Sequence, residues 1–252
     1  MSRPPRKGDH RPRLKGPRQA RFPRAVAVLY EDDSVIAIDK PAGLLAVPIK
    51  GSDAPSALTV VAAELKRKRQ RAFIVHRIDR FASGILLFAK TPADRESLVR
   101  QFLRHTPVRE YLAVVRGHLT AKAGTLVHYF RRQGMFQKQS VAGDPRAARA
   151  ELKYSVAELL RGASLLRVTL GTGLQNQIRV QFAAMGHPII GDRKYFKEEA
   201  AENRIDRVAL HAARLQFIHP RSGEIINIEC EEPADFRSLV SGLRQRGRQK
   251  SE

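Results

Sequence analysis

The sequence predicts an α+β fold with a largely antiparallel, mixed sheet and flanking helices. Short apolar runs of about five or six residues recur along the chain and suit strands. Amphipathic stretches of helical period lie among them, and the two patterns alternate without the regular strand–helix–strand rhythm of a parallel sheet.

The expected strands are Ala25–Tyr30, Val35–Ile38, Gly84–Ala89, Tyr111–Arg116, Leu165–Leu170 and Ile225–Glu229. Residues 56–70 place Ala57, Val60, Val61 and Leu65 on one helical face and end in a Lys/Arg cluster that complements the negative end of a helix dipole. Thr91, Pro92 and Asp94 read as an N-cap and first turn, opening a helix through Leu98, Phe102 and Leu103. A third helix carries Ile178, Phe182 and Met185 and is stopped by Gly186 and Pro188. From Arg237 onward a last helix is expected to fray into a basic tail. There is no internal repeat.

At 252 residues the chain is long enough for a single catalytic body, expected over residues 25–238. Residues 239–252 form the expected basic C-terminal tail, and residues 1–24 a basic arm. That arm has nine Lys and Arg against the single acid Asp9, is interleaved with prolines, and has too little apolar surface to fold. It reads as a nucleic-acid arm, a solubilising tail being the plainer reading. A net charge of +21 and a pI near 11.0 point to an extended polyanion: RNA, DNA or an anionic membrane surface. A DNA reader should show a helix-turn-helix or zinc-finger pattern, and none is evident.

No apolar run approaches the roughly 20 residues needed to span a bilayer, and the first residues lack the apolar core of a secretory signal. Prolines within the arm disfavour a mitochondrial transit helix. The expectation is a soluble, cytoplasmic monomer. The lone cysteine, Cys230, sits among Glu229, Glu231 and Glu232, which would not lower a thiol pKa, and reads as structural.

The histidines are scattered, and no His/Cys/Asp/Glu spacing resembles a metal site. Glycine-rich nucleotide cradles and the serine-hydrolase elbow are absent from the sequence, so neither a metal nor a cofactor is expected. The clearest candidate for chemistry is Asp79, set between Arg77 and Arg80 and followed by the apolar run from Ser83 to Ala89. The arginines favour its charged form. By residue chemistry alone, a salt-bridged structural carboxylate and a catalytic one remain equally open.

The stretch His76-Arg77-Ile78-Asp79 through Ser83-Gly84 to Ala89-Lys90 resembles the signature of the RluA-like pseudouridine synthases. Other stretches agree in order and spacing: Leu29 to Leu44 with its Lys40-Pro41-Ala42-Gly43 turn, Arg109 to Gly117, Gln177 to Val180 with Gly186 to Asp192, and Leu210 to Pro220. The match runs from about residue 26 to 236. The resemblance implies the pseudouridine synthase fold with a central RNA-binding cleft, and isomerisation of uridine in ribosomal or transfer RNA after base flipping. It makes Asp79 the catalytic carboxylate, with Tyr111 packed on the flipped base and Arg179 paired with Asp79. Arg77, which would fill the vacated stack, Arg80 and Lys40 are the implied RNA contacts. Lys40 also has a plainer reading as part of a turn.

The chain departs from the family pattern at Leu174-Gln175-Asn176, where Arg-Thr-His is usual, and has Ala82 for a threonine and Gln181 for a common histidine. These changes leave open an altered, synthase-like RNA-binding or ribosome-assembly factor. The intact Asp79 argues against that alternative.

Overall fold

The structure, a computed structural model, describes residues 26–134, 136–196 and 205–244. The expected arm at 1–24 and the tail from residue 245 lie outside the described residues.

One sheet organises the molecule. Its strands are β1 (Ala27–Glu31), β2 (Val35–Lys40), β3 (Phe73–Ile74), β4 (Ser83–Ala89), β5 (Val108–Arg116), β6 (Ala123–Gln133), β7 (Phe136–Ser140), β8 (Ala147–Leu160), β9 (Ala163–Leu170), β10 (Leu210–Ile218) and β11 (Ile225–Glu229). The order is β1-β2-β4-β10-β5-β9-β8-β6-β7, with β11 beside β10 and β3 beside β4. Among these pairings only β4 and β10 run parallel, with His211 opposite Ser83 and Ala212 opposite Gly84.

That parallel contact is close enough to dictate a residue. Gly84 has φ +104°, and a Cβ there would lie 2.2 Å from the Ala212 carbonyl oxygen. Only glycine fits. Beside it the buried Ser83 Oγ and His211 Nδ1 are 2.9 Å apart, while His211 Nε2 lies 3.0 Å from the Cys230 carbonyl. A carbonyl can only accept, so Nε2 carries the proton and Nδ1 accepts from Ser83.

Strands β2 and β4 are apolar on both faces because helices cover both. Helix α1 (Ala57–Arg67) packs Ala57, Val61 and Leu65 against Ile36, Ile38, Leu86 and Phe88. On the other face Leu98 of α2 (Pro92–Leu103) meets Val35, Ala37, Ile85 and Leu87. Both helices start as their caps require: Ser56 and Thr59 form a reciprocal capping box, and the Thr91 hydroxyl accepts from the Asp94 N–H. Helix α3 (Gln177–Ala184) is buried from Gln177 to Phe182, enclosed by the central strands and by Phe130 and Ala150 of the β6–β8 ribbon.

The body extends past the expected boundary at residue 238. Helix α4 (Ala234–Leu243) buries Phe236, Leu239, Val240 and Leu243 in the central core, so residues 239–243 belong to the body and not to a tail. Their spacing of three and four residues is the apolar face of a helix, which the surrounding arginines mask in the sequence.

Candidate active site

Asp79 lies in the loop that leads into β4, and that loop is tied to the turn after β2. The Gly43 N–H donates to the Arg80 carbonyl at 2.7 Å, and Arg80 Nε donates back to the Gly43 carbonyl at 2.9 Å. Lys40 closes the arrangement. Its side chain is 0% exposed, and its ammonium donates to the carbonyls of Pro41, Leu44 and Arg80 at 2.9, 2.9 and 3.1 Å. Three acceptors match the three protons of an ammonium, although burial draws its pKa down to about 7. The expectation that Lys40 contacts RNA is therefore corrected: its donors are consumed inside the fold, where it anchors the loop of Asp79. Arg77 and Arg80 are exposed on that loop, and the Arg80 guanidinium lies 5.3 Å from the Phe81 ring.

Tyr111 projects from β5 at the register position opposite Ala212, beside the parallel contact that places Gly84. Two residues earlier on the same face stands Arg109, since strand side chains alternate with a period of two. The wall beyond is a stack: His76 lies 4.5 Å from Phe102 with rings nearly parallel, and the Arg109 guanidinium lies 5.9 Å from the same ring. His76 Nε2 accepts from the Leu87 N–H at 3.2 Å, and burial, reinforced by Arg109, depresses its pKa to about 3. It is neutral at physiological pH.

Arg179 comes from α3. Its main partner is Asp192: Nε and Nη2 donate to the two carboxylate oxygens at 2.7 and 2.8 Å in a bidentate pair. The remaining amino group, Nη1, donates to Asn176 Oδ1 at 2.9 Å and reaches Asp79 Oδ2 at 3.4 Å. The Tyr195 ring packs 5.4 Å from the guanidinium, and its hydroxyl accepts from Asn176 Nδ2 at 3.2 Å. Asp192 is itself held by the backbone N–H groups of Lys194 and Tyr195. Its loop is tethered to β5 through bonds between Ile190 and Val114 and between Arg116 and Pro188.

The electrostatics follow from this geometry. Burial raises the pKa of Asp79, against the lowering pull of Arg179 and Arg77, and Asp192 adds a further upward push. Burial also opposes the charge on Arg179, yet Asp192 and Asp79 hold its pKa above the ordinary value. Tyr111 is pushed up to about 12, chiefly by burial, with Arg109 opposing and Asp79 assisting, so the phenol keeps its proton at neutral pH. Asp79, Tyr111, Arg77 and Ile78 line a cavity of about 300 Å³ with Leu174 and Asn176. That volume is at the lower end for small-ligand sites and admits a planar base. Among the described residues, no group of three or more His, Cys, Asp or Glu side chains is placed to hold a metal ion.

The departures noted in the sequence fall into two kinds. Leu174 presents apolar surface to the cavity, and Ala82 is wholly buried in the central core. Asn176 and Gln181 keep polar work. Asn176 occupies a left-handed position at φ +56° before α3 and turns its amide oxygen to Arg179. Gln181 Nε2 donates to the carbonyls of Leu126 and Ala150, fastening α3 to the ribbon.

The family resemblance grouped Asp79, Tyr111 and Arg179; Asp79 and Tyr111 line one cavity, and Arg179, outside its lining, lies 3.4 Å from Asp79. Sequence reasoning missed Asp192, Asn176, Tyr195 and Arg109 as participants. Asp192 ends the Gly186 to Asp192 stretch of the family resemblance, and it follows a glycine whose added Cβ would lie 2.0 Å from the Arg207 carbonyl, so the loop was marked although the role of its acid was not. Cys230 is buried, and burial with Asp39 nearby raises its thiol to about 12, as suits a structural role.

The sequence profile of the RNA pseudouridylate synthase family matches residues 34–184. The ribosomal large subunit pseudouridine synthase D of Zymomonas mobilis subsp. mobilis is 33% identical over 228 residues, which cover 86% of this chain and 72% of that protein. The protein of the same description from Xanthomonas campestris pv. campestris is 37% identical over 234 residues, covering 86% of this chain and 69% of the relative. In fold, the solved human RNA pseudouridylate synthase domain containing 4 superposes with a TM-score of 0.71 at 20% identity, over 86% of this chain and 92% of that one. The family profile and these relatives establish that the chain belongs to the RNA pseudouridylate synthase family.

Proposed function

We propose that this chain isomerises uridine to pseudouridine in structured RNA, with large-subunit ribosomal RNA as the first class to examine and transfer RNA as the second. The observation that carries the reading is the cavity lined by Asp79 and Tyr111, with the Arg179 guanidinium reaching the Asp79 carboxylate at 3.4 Å. The target uridine leaves the stack, exposed Arg77 takes its place, and the uracil lies against Tyr111. Asp79, whose charged form Arg179 favours against burial, either bonds to C1′ or assists elimination toward a glycal as the C1′–N1 bond breaks. The freed uracil turns, C5 joins C1′, the C5 proton leaves, and N1 takes up a proton. Atoms and electrons balance within the nucleoside, so the chemistry calls for no cofactor. The protein would work as a cytoplasmic monomer, with the basic arm at 1–24 drawing in the RNA backbone.

The test is tritium release from C5-labelled uridine in candidate RNAs. Asp79→Asn should fold and bind RNA while losing roughly a thousand-fold or more of the turnover. Near-normal release by that variant would remove Asp79 from the chemistry, and no release by the unaltered protein from any RNA would favour a binding factor.

A further inference from the structure

We propose that Arg109 is a phosphate-binding residue that holds the RNA backbone beside the flipped uridine; this rests on the reading of the cavity as the uridine site. Arg109 lines the same cavity as Asp79 and Tyr111 and is 8% exposed. Its Nε is buried without a hydrogen-bond partner. Among the described residues its side chain makes one hydrogen bond, from Nη2 to the Thr172 carbonyl at 3.2 Å, and no carboxylate forms an ion pair with it. The contrast with Arg179 and Arg207 is sharp, since each of those buried guanidiniums is gripped by an aspartate through two nitrogens.

A buried cation with an open donor calls for an anion. The backbone nearby makes room for it: a Cβ at Gly173 would lie 2.8 Å from Arg109 Nη1, so a side chain at 173 would crowd the guanidinium. The ring of Phe102 lies 5.9 Å from it. Arg109 and Tyr111 are two residues apart on one face of β5, about 7 Å along the strand, the scale of one sugar–phosphate unit. Asp79 and Arg109 line the cavity from different elements, Asp79 from the loop before β4 and Arg109 from β5. Asp79 serves the sugar and base, and Arg109 offers the cation that no carboxylate of the described residues pairs with. A base carbonyl could accept one hydrogen bond there but would leave the charge uncompensated, and a phosphodiester oxygen supplies both.

The probe is an oligoadenylate carrying one central uridine, prepared with each flanking linkage replaced in turn by a neutral methylphosphonate. With the unaltered protein, neutralising one particular linkage should weaken binding roughly ten-fold to a hundred-fold, and Arg109→Met should weaken the all-phosphate oligomer by a similar factor. In that variant the same linkage should no longer matter, while Arg109→Lys should retain part of the sensitivity. Thermal melting separates a structural role: Arg109→Met should melt no lower than the unaltered protein, because it removes an unpaired buried cation. Equal sensitivity at that linkage in both proteins, no linkage sensitivity in the unaltered protein, or a lowered melting point without a linkage effect would each overturn the proposal. Tritium release is read separately. Linkage-specific loss without release from any RNA would sink the isomerase reading and leave the phosphate site standing.

Discussion

Arg179 gives two of its nitrogens to Asp192, at 2.7 and 2.8 Å, and reaches Asp79 with a third at 3.4 Å. The arginine is thus positioned by one carboxylate so that its spare amino group faces the other. The two acids bear on each other through it, since Arg179 lowers the pKa of Asp79 and Asp192 raises it.

Two substitutions should therefore move the acid limb of the rate profile in opposite directions. Arg179→Met leaves Asp79 to its burial, so its pKa rises further and the limb shifts to higher pH. Asp192→Asn removes the like charge, so the limb shifts to lower pH. Each breaks a buried pair and should cost about 3–5 kcal/mol of stability. Single-turnover rates against pH at saturating protein measure the shift, and shifts of the same sign would refute the shared-arginine arrangement.

His76 should make the fold sensitive to acid. Its folded pKa of about 3 lies below the ordinary value of 6.5, so between those limits the unfolded chain binds the extra proton. Stability is then lost as pH falls from 6.5 toward 3, by up to about 1.4 kcal/mol per pH unit from this residue. His76→Gln keeps an acceptor for the Leu87 N–H and should flatten the dependence. Urea unfolding at a series of pH values gives both slopes, and parallel slopes would contradict the buried neutral imidazole.

Lys40→Met should destabilise the fold by about 2–4 kcal/mol, because it leaves three buried carbonyls without their donor. RNA binding at low temperature should keep its salt dependence, since the ammonium does not face solvent. A reduced salt slope with unchanged stability would return Lys40 to the RNA interface.

Deleting residues 1–24 should flatten the salt dependence of RNA binding. An arm that engages three or four phosphates of a single strand contributes a slope of roughly 2 to 3 in log affinity against log salt. The single-turnover rate at saturating protein should hardly change, because Asp79, Tyr111 and Arg179 belong to the folded body. An unchanged slope would make the segment a solubilising tail.

The short apolar runs of β2, β4, β5 and β9 and the capped helices α1 and α2 were readable in the sequence, since a strand covered on both faces leaves a continuous apolar run and a half-buried helix leaves a stripe. The β6–β8 ribbon was not anticipated. Its strand β8 does carry a period of two, buried Ala150, Leu152 and Tyr154 alternating with Arg149, Glu151, Lys153 and Ser155, but the many charged residues on its other face mask it. Strand β10 was foreseen only as a motif around His211, although it joins β4, β5 and β11.

By itself the sequence determined the chemical types at the site: an acid between arginines, a tyrosine on an apolar strand, and an arginine on a short helix. Only the acid is announced by its immediate neighbours, whereas the tyrosine and the arginine are marked by the family resemblance of the stretches that hold them. Tertiary structure decided the partnerships. Lys40 turned inward because three backbone carbonyls converge on one point, Arg179 found Asp192 across a loop, and Arg109 was left buried without an acid. Hydrogen bonds and ion pairs depend on distances of about 3 Å between atoms far apart along the chain. No periodicity encodes such distances; contacts between segments remote in sequence, such as the Ile190–Val114 bond that holds the Asp192 loop on β5, bring them about.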